Sequence, residues 1–169
     1  MERDIVVDVV IRPARPDDAE AIGNLWADLV AYHHALDAAL PAAAPDGPSR
    51  YARAIEDHLR SSTTRVLVAE YDGQVVGYIL GVVADMVSSF FTHEATGFIA
   101  DLFVMPEHRR RSVGRHLVVA MAEWFASCGM RQYEWHAAAH NEEALAFWNS
   151  LGGAPVLVRM RATGPLEER

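Results

Sequence analysis

Residues 98–117 constrain this chain more than any other stretch. Residues 98–104 are apolar, β-branched and aromatic, broken only by Asp101, which predicts a buried strand. Met105, Pro106 and Glu107 end it, because proline cannot donate to a ladder. Arg109, Arg110 and Arg111 follow, then the small Ser112, Val113, Gly114 and Arg115, opening straight into an apolar-periodic helix. A helix start presents unpaired N–H groups and the positive end of the macrodipole, so it attracts anions. Arg109, Arg110, Arg111 and Arg115 extend that attraction to several phosphate charges, such as a pyrophosphate. A solvated basic turn before an ordinary helix is the bland alternative. The strand, Pro106 and the glycine spacing favour a phosphorylated cofactor instead.

The 169 residues suit one domain, residues 1–169, and a hydrophobic content of 51% supports a sizeable core. A formal net charge of −8 argues against nucleic acid or a membrane surface as partner, so the arginine cluster is a local anion site. Cys128 is the only cysteine, which excludes an internal disulfide and a thiolate zinc cluster. The opening Met-Glu-Arg-Asp lacks the pattern of a signal peptide, and no apolar run approaches the ~20 residues of a membrane span. The expectation is a soluble cytoplasmic protein.

Along the chain, residues 5–11 predict a first strand, stopped by Arg12-Pro13. Pro16 starts a helix whose apolar face is Ile22, Leu25, Trp26 and Leu29, running to about His34. Residues 38–48 read as a loop and 49–60 as a second helix. Residues 65–71 and 74–83 are strands joined by the hairpin signal Asp72-Gly73, with Gly77 and Gly81 marking a bulge or close packing. After the organising strand, residues 113–128 form the clearest helix, with Gly129 as its C-cap signal. Residues 132–138 predict a strand, 141–151 a helix, and 155–161 a final strand. That order is an α/β domain with a mixed sheet.

The segment at Arg109 resembles the acetyl-coenzyme A motif of the GNAT acetyltransferases, Arg/Gln-x-x-Gly-x-Gly/Ala after a Val-x-Pro strand end. Arg109 and Gly114 match, while Ser112 replaces the first glycine and offers a good N-cap. A second stretch, from Asn141 to Gly153, is similar to the family's Asn-x-x-Ala-x-x-Phe-Tyr-x-x-x-Gly-Phe signature through Asn141, Ala144, Phe147 and Gly152. Trp148 stands where the family carries tyrosine, often the acid for the departing thiolate; an indole N–H donates but is no usable acid. The resemblance implies the GNAT fold: a mixed central sheet of about six to seven strands, flanked by about four helices. That sheet splays between its fourth and fifth strands, residues 98–104 and 132–138 here.

By the same resemblance the chain is an N-acetyltransferase that moves acetyl directly from acetyl-CoA to a primary amine of a small molecule, polyamine, aminoglycoside or peptide. The runner-up is a non-catalytic acyl-CoA-binding domain, motivated by Trp148. The cofactor contacts carried over are Leu102, Phe103, Val104, Arg109, Arg110, Arg111, Ser112, Val113, Gly114, Arg115, Asn141, Phe147 and Trp148. Asp101 is the first candidate for handling the amine, against a plain pairing with an arginine. His136 is the second, on the splayed strand, against a surface histidine. Tyr32, His34, Asp37, Phe90, Phe91 and Glu94 are expected acceptor contacts, and Glu142 and Glu143 only helix-start charges. His33, His34 and Asp37 lack the fuller ligand set of a metal site, so none is expected. Many relatives pair through sheets or helices, which makes a homodimer an expectation of the resemblance.

Overall fold

The computed structural model describes residues 9–83, 95–162 and 164. Five strands lie in sequence order: β1 (Val10–Pro13), β2 (Thr64–Tyr71), β3 (Gln74–Val83), β4 (Gly97–Val104) and β5 (Tyr133–Trp135). The first four pair antiparallel, and β5 lies parallel to β4. Helices α1 (Ala19–Leu36) and α2 (Gly47–Arg60) cover one face, and α3 (Val113–Ser127) packs on the other with α4 (Glu142–Ser150) beside it.

Local sequence explains most of these elements. Ile22, Leu25 and Leu29 bury one stripe of α1 against Val66, Val68, Tyr78 and Phe103. Leu117, Val118, Met121 and Phe125 bury the α3 stripe against Leu67, Ala69, Ile79 and Ile99. Asp72 and Gly73 both take positive φ, 48° and 75°, as a tight primed hairpin turn requires. Gly81 and Gly97 face α3: a Cβ on Gly97 would lie 2.5 Å from the Phe125 ring, and one on Gly81 would collide with Met121 Sδ.

Three expectations change. The first strand runs through Pro13, because β1 is an edge strand and loses nothing by lacking an N–H on its open side; residues 5–8 lie outside the described residues. The sheet has five strands among the described residues, fewer than six or seven. Residues 155–161 form no strand: Val156, Leu157, Val158 and Met160 are 74–88% exposed, and Arg161 Nη1 donates to Ala39 O at 2.8 Å. Strand preference expresses fit to a pleated, half-buried surface, and this segment lies on none.

Two irregularities in β4 position the site. Pairing with β5 covers only Gly97, Phe98 and Ile99, so beyond Ile99 the strands part. Opposite β3, the register jumps from Gly81↔Ile99 to Leu80↔Asp101, leaving Ala100 as a bulge. One extra residue reverses the alternation of faces. Ile99 and Leu102 therefore both face α3, while Phe103 faces α1 and α2. Asp101 turns the same way, to meet Tyr51 of α2.

Candidate active site

A cleft of about 370 Å³ opens where β4 and β5 separate. Its floor is the β4 run from Ile99 to Val104, and its far wall is Trp135, His136, Ala137 and Ala138. Leu29, Tyr32 and His33 of α1 and the turn before α3 complete the lining.

That turn is built for an anion. Arg110 and Ser112 both sit at φ +61°, the left-handed region that L residues rarely occupy. Ser112 O accepts from His116 N–H at 3.0 Å, so the N–H groups at the start of α3 lack intrahelical partners. Ser112 makes no side-chain cap, contrary to the sequence expectation: its left-handed backbone is not the extended one from which a serine caps. Arg110, Ser112, Gly114 and Arg115 line the cleft. A methyl on Gly114 would sit 3.4 Å from Phe147, tight yet compatible with Gly/Ala at that position. Val113 lies 1% exposed in the core, and Arg111 is exposed outside the lining.

Arg109 lines the cleft too, and its guanidinium is also held by protein groups. Its Nε donates to Val104 O at 2.9 Å and its Nη1 to Glu143 Oε2 at 3.2 Å. The guanidinium lies 5.0 Å from the Tyr32 ring and 5.5 Å from the Phe103 ring. Tyr32 Oη donates to the same Glu143 oxygen at 3.3 Å. Arg109 thus joins α1, the end of β4 and α4 into one wall, and Glu143 is more than a helix-start charge.

Asp101 pairs with a phenol rather than an arginine. Tyr51 Oη donates to its Oδ2 at 2.5 Å. Burial raises the Asp101 carboxyl above its ordinary 3.8, and the Tyr51 hydrogen bond and the charges of His33 and His58 only partly oppose this. Burial and the Asp101 charge together raise the Tyr51 hydroxyl far above the phenol range, so it stays a donor. Tyr78 lies fully buried beneath, its hydroxyl raised by burial and then by Asp101.

Of the other expected residues, Leu102, Phe103, Val104, Asn141, Phe147 and Trp148 line the cleft. Asn141 Oδ1 accepts from Ala144 N–H at 3.0 Å and caps α4. Trp148 is 8% exposed and stacks on Trp135 at 4.3 Å, which explains an indole here as packing. His136 lines the far wall, exposed, edge-on to Phe98 at 5.2 Å. Tyr32 is in place, but His34 and Asp37 are not in the lining: His34 Nδ1 lies 2.8 Å from Leu40 O, and Asp37 Oδ1 accepts from Ala39 N–H. Phe90, Phe91 and Glu94 lie outside the described residues. Among the described residues, no group of three His, Cys, Asp or Glu side chains is placed to hold a metal, and no helix is long and apolar enough to cross a membrane.

Sequence reasoning missed His33 and Tyr51. The signal for His33 was present: Leu29 plus four continues the buried stripe of α1, whereas position 34 falls off it. Nothing local marks Tyr51 as a partner of Asp101.

A cleft between splayed strands, lined by an arginine-flanked helix start and a half-buried carboxylate, has the features of an acyl-transfer fold that holds a phosphorylated carrier. A sequence model of the acetyltransferase (GNAT) family matches residues 29–152, and the chain belongs to that family. As a member it is an N-acetyltransferase with acetyl-CoA as cosubstrate. Among solved structures it is similar to the aminoglycoside N-acetyltransferase AAC(6')-Iy in complex with CoA, at 19% identity and TM-score 0.71, covering 92% of this chain and 96% of that one. It is similar also to a variant of the BH1408 protein from Bacillus halodurans, at 21% identity and TM-score 0.80, covering 93% and 99%. A third is the aminoglycoside 6'-N-acetyltransferase AAC(6')-IG from Acinetobacter haemolyticus, at 17% identity and TM-score 0.72, covering 94% and 99%. At these identities the likeness is one of fold. No curated protein sequence matches.

Proposed function

We propose that the chain acetylates the primary amine of a small molecule carrying a single ammonium beside an apolar or aromatic body. The observation that supports this reading is Asp101, the one lining carboxylate among the described residues that no arginine holds. Among the described lining residues the acids are Asp101 and Glu143, and Glu143 is held by Arg109 and Tyr32. Asp101, walled by Leu29, Tyr32 and Phe103, offers one anionic contact in apolar surroundings. Among the described lining residues, a polycation such as an aminoglycoside would find no second carboxylate free of an arginine.

The α3 start, with Arg110 and Arg115, holds the pyrophosphate of acetyl-CoA. The backbone of Leu102, Phe103 and Val104, unpaired on the β5 side, binds the pantetheine and directs an N–H to the acetyl oxygen as charge develops there. Trp148, locked in its stack, supplies no proton, so the thiolate leaves on its own acidity or takes a proton from the amine.

Calorimetric titration with acetyl-CoA tests the first half: micromolar binding is expected, falling at least tenfold in Arg110→Glu/Arg115→Glu. An amine panel with thiol-release detection tests the second. Monoamines with aromatic bodies are expected to outrun polyamines and aminoglycosides; the reverse order overturns the acceptor assignment.

A further inference from the structure

Leu29, Tyr32 and His33 share one face of α1, and that face is the wall of the cleft at its acidic end. Of the paired histidines, His33 is half-buried there and His34 is exposed and turned to the following loop. Asp101 projects from β4 toward the same helix layer, near enough for its charge to act on the His33 ring. Among the described residues, the neighbouring charged groups are these. Arg109 and Glu143 neutralise one another at 3.2 Å, Tyr51 stays protonated as the donor to Asp101, and His58 lies behind on α2. His136 stands across the cleft, exposed, with its ring on Phe98.

We infer that His33 is the base that takes the proton from the acceptor's ammonium, with Asp101 holding that cation beside it. The inference rests on the amine-acetylation reading above and goes beyond it by naming the base. The neutral imidazole of His33 accepts one proton from the ammonium. The freed nitrogen lone pair forms the C–N bond to the acetyl carbonyl, the C–S bond breaks, and a second nitrogen proton leaves with the thiolate as free thiol. The imidazolium returns its proton to water, so the sum is amide, thiol and one released proton. Burial supports the role: it lowers the His33 imidazole below its ordinary 6.5, and Asp101 limits the fall, so the ring is neutral at pH 7.

The test uses the full chain with two readouts. In histidine-labelled protein, the imidazole signal absent from His33→Gln is expected to titrate below 6.5 and to move lower still in Asp101→Asn, which removes the favourable charge. With the best amine of the panel, His33→Gln is expected to lower kcat by about 100-fold or more and to flatten the acidic limb of the pH profile. His116→Gln, an exposed α3 histidine outside the cleft, is the control expected to change nothing. Retention of kcat and of the acidic limb in His33→Gln overturns the inference while leaving the acetyltransferase reading intact. Binding of acetyl-CoA with no thiol release from any amine overturns both. If His33→Gln does not fold, the titration in wild type against Asp101→Asn decides, and a His33 ring indifferent to Asp101 overturns the assignment.

Discussion

Ser112 at φ +61° holds a conformation that costs an L residue about 1 kcal/mol or more, and the family's pattern places glycine there. The backbone turn is thus the retained feature, and the side chain is incidental: Ser112 caps nothing. Ser112→Gly is expected to raise the unfolding free energy by about 1 kcal/mol, measured by urea denaturation, and to keep acetyl-CoA affinity. A loss of affinity would show that the hydroxyl itself touches phosphate. Arg109 carries the opposite lesson. Its family position implies a phosphate contact; it lines the cleft, and its side chain also braces Val104 O, Glu143 and two rings.

At the scale of elements, α3 is both the roof of one core and the owner of the anion site, so its seating on β3 and β4 governs cofactor affinity. Gly97 leaves room for the Phe125 ring, and a methyl there would approach it to 2.5 Å. Gly97→Ala is therefore expected to destabilise the fold by about 1–3 kcal/mol and to weaken acetyl-CoA binding as α3 shifts, read by thermal unfolding and titration on one preparation. Unchanged affinity at reduced stability would separate core from site. The extent of α3, the 72–73 turn and the basic turn were legible because each depends on neighbours in sequence. The bulge at Ala100 was not, since it exists only against β3, and without it Asp101 reads as one more residue of the strand. The segment 155–161 failed for a related reason: its composition suits a strand, and no edge receives it.

Across the whole molecule, two half-buried or buried carboxylates pull stability in opposite directions with pH. Asp18 accepts from Arg12 Nη1 at 2.7 Å and Nη2 at 2.9 Å, and Arg12 also reaches Glu70, tying β1 to β2 and to the turn before α1. The Arg12 hydrogen bonds hold the Asp18 carboxyl below its ordinary 3.8, so its contribution is present above that value and is lost as pH falls through the lower folded one. Asp101 is raised, chiefly by burial, so its charged form costs stability at neutral pH and the cost disappears on acidification. Asp18→Asn is expected to lose about 1–3 kcal/mol at pH 7, because Arg12 loses one of its two carboxylate partners and keeps only Glu70, and to lose progressively less below pH 4. Asp101→Asn is expected to gain stability at pH 7, to match wild type near pH 3, and to acetylate amines at least about 100-fold more slowly. Urea denaturation of the three proteins from pH 7 to pH 3 checks both slopes. An Asp101→Asn protein that is less stable at pH 7 would mean that the Tyr51 hydrogen bond outweighs burial, and that the carboxylate is held for the fold rather than against it for the chemistry.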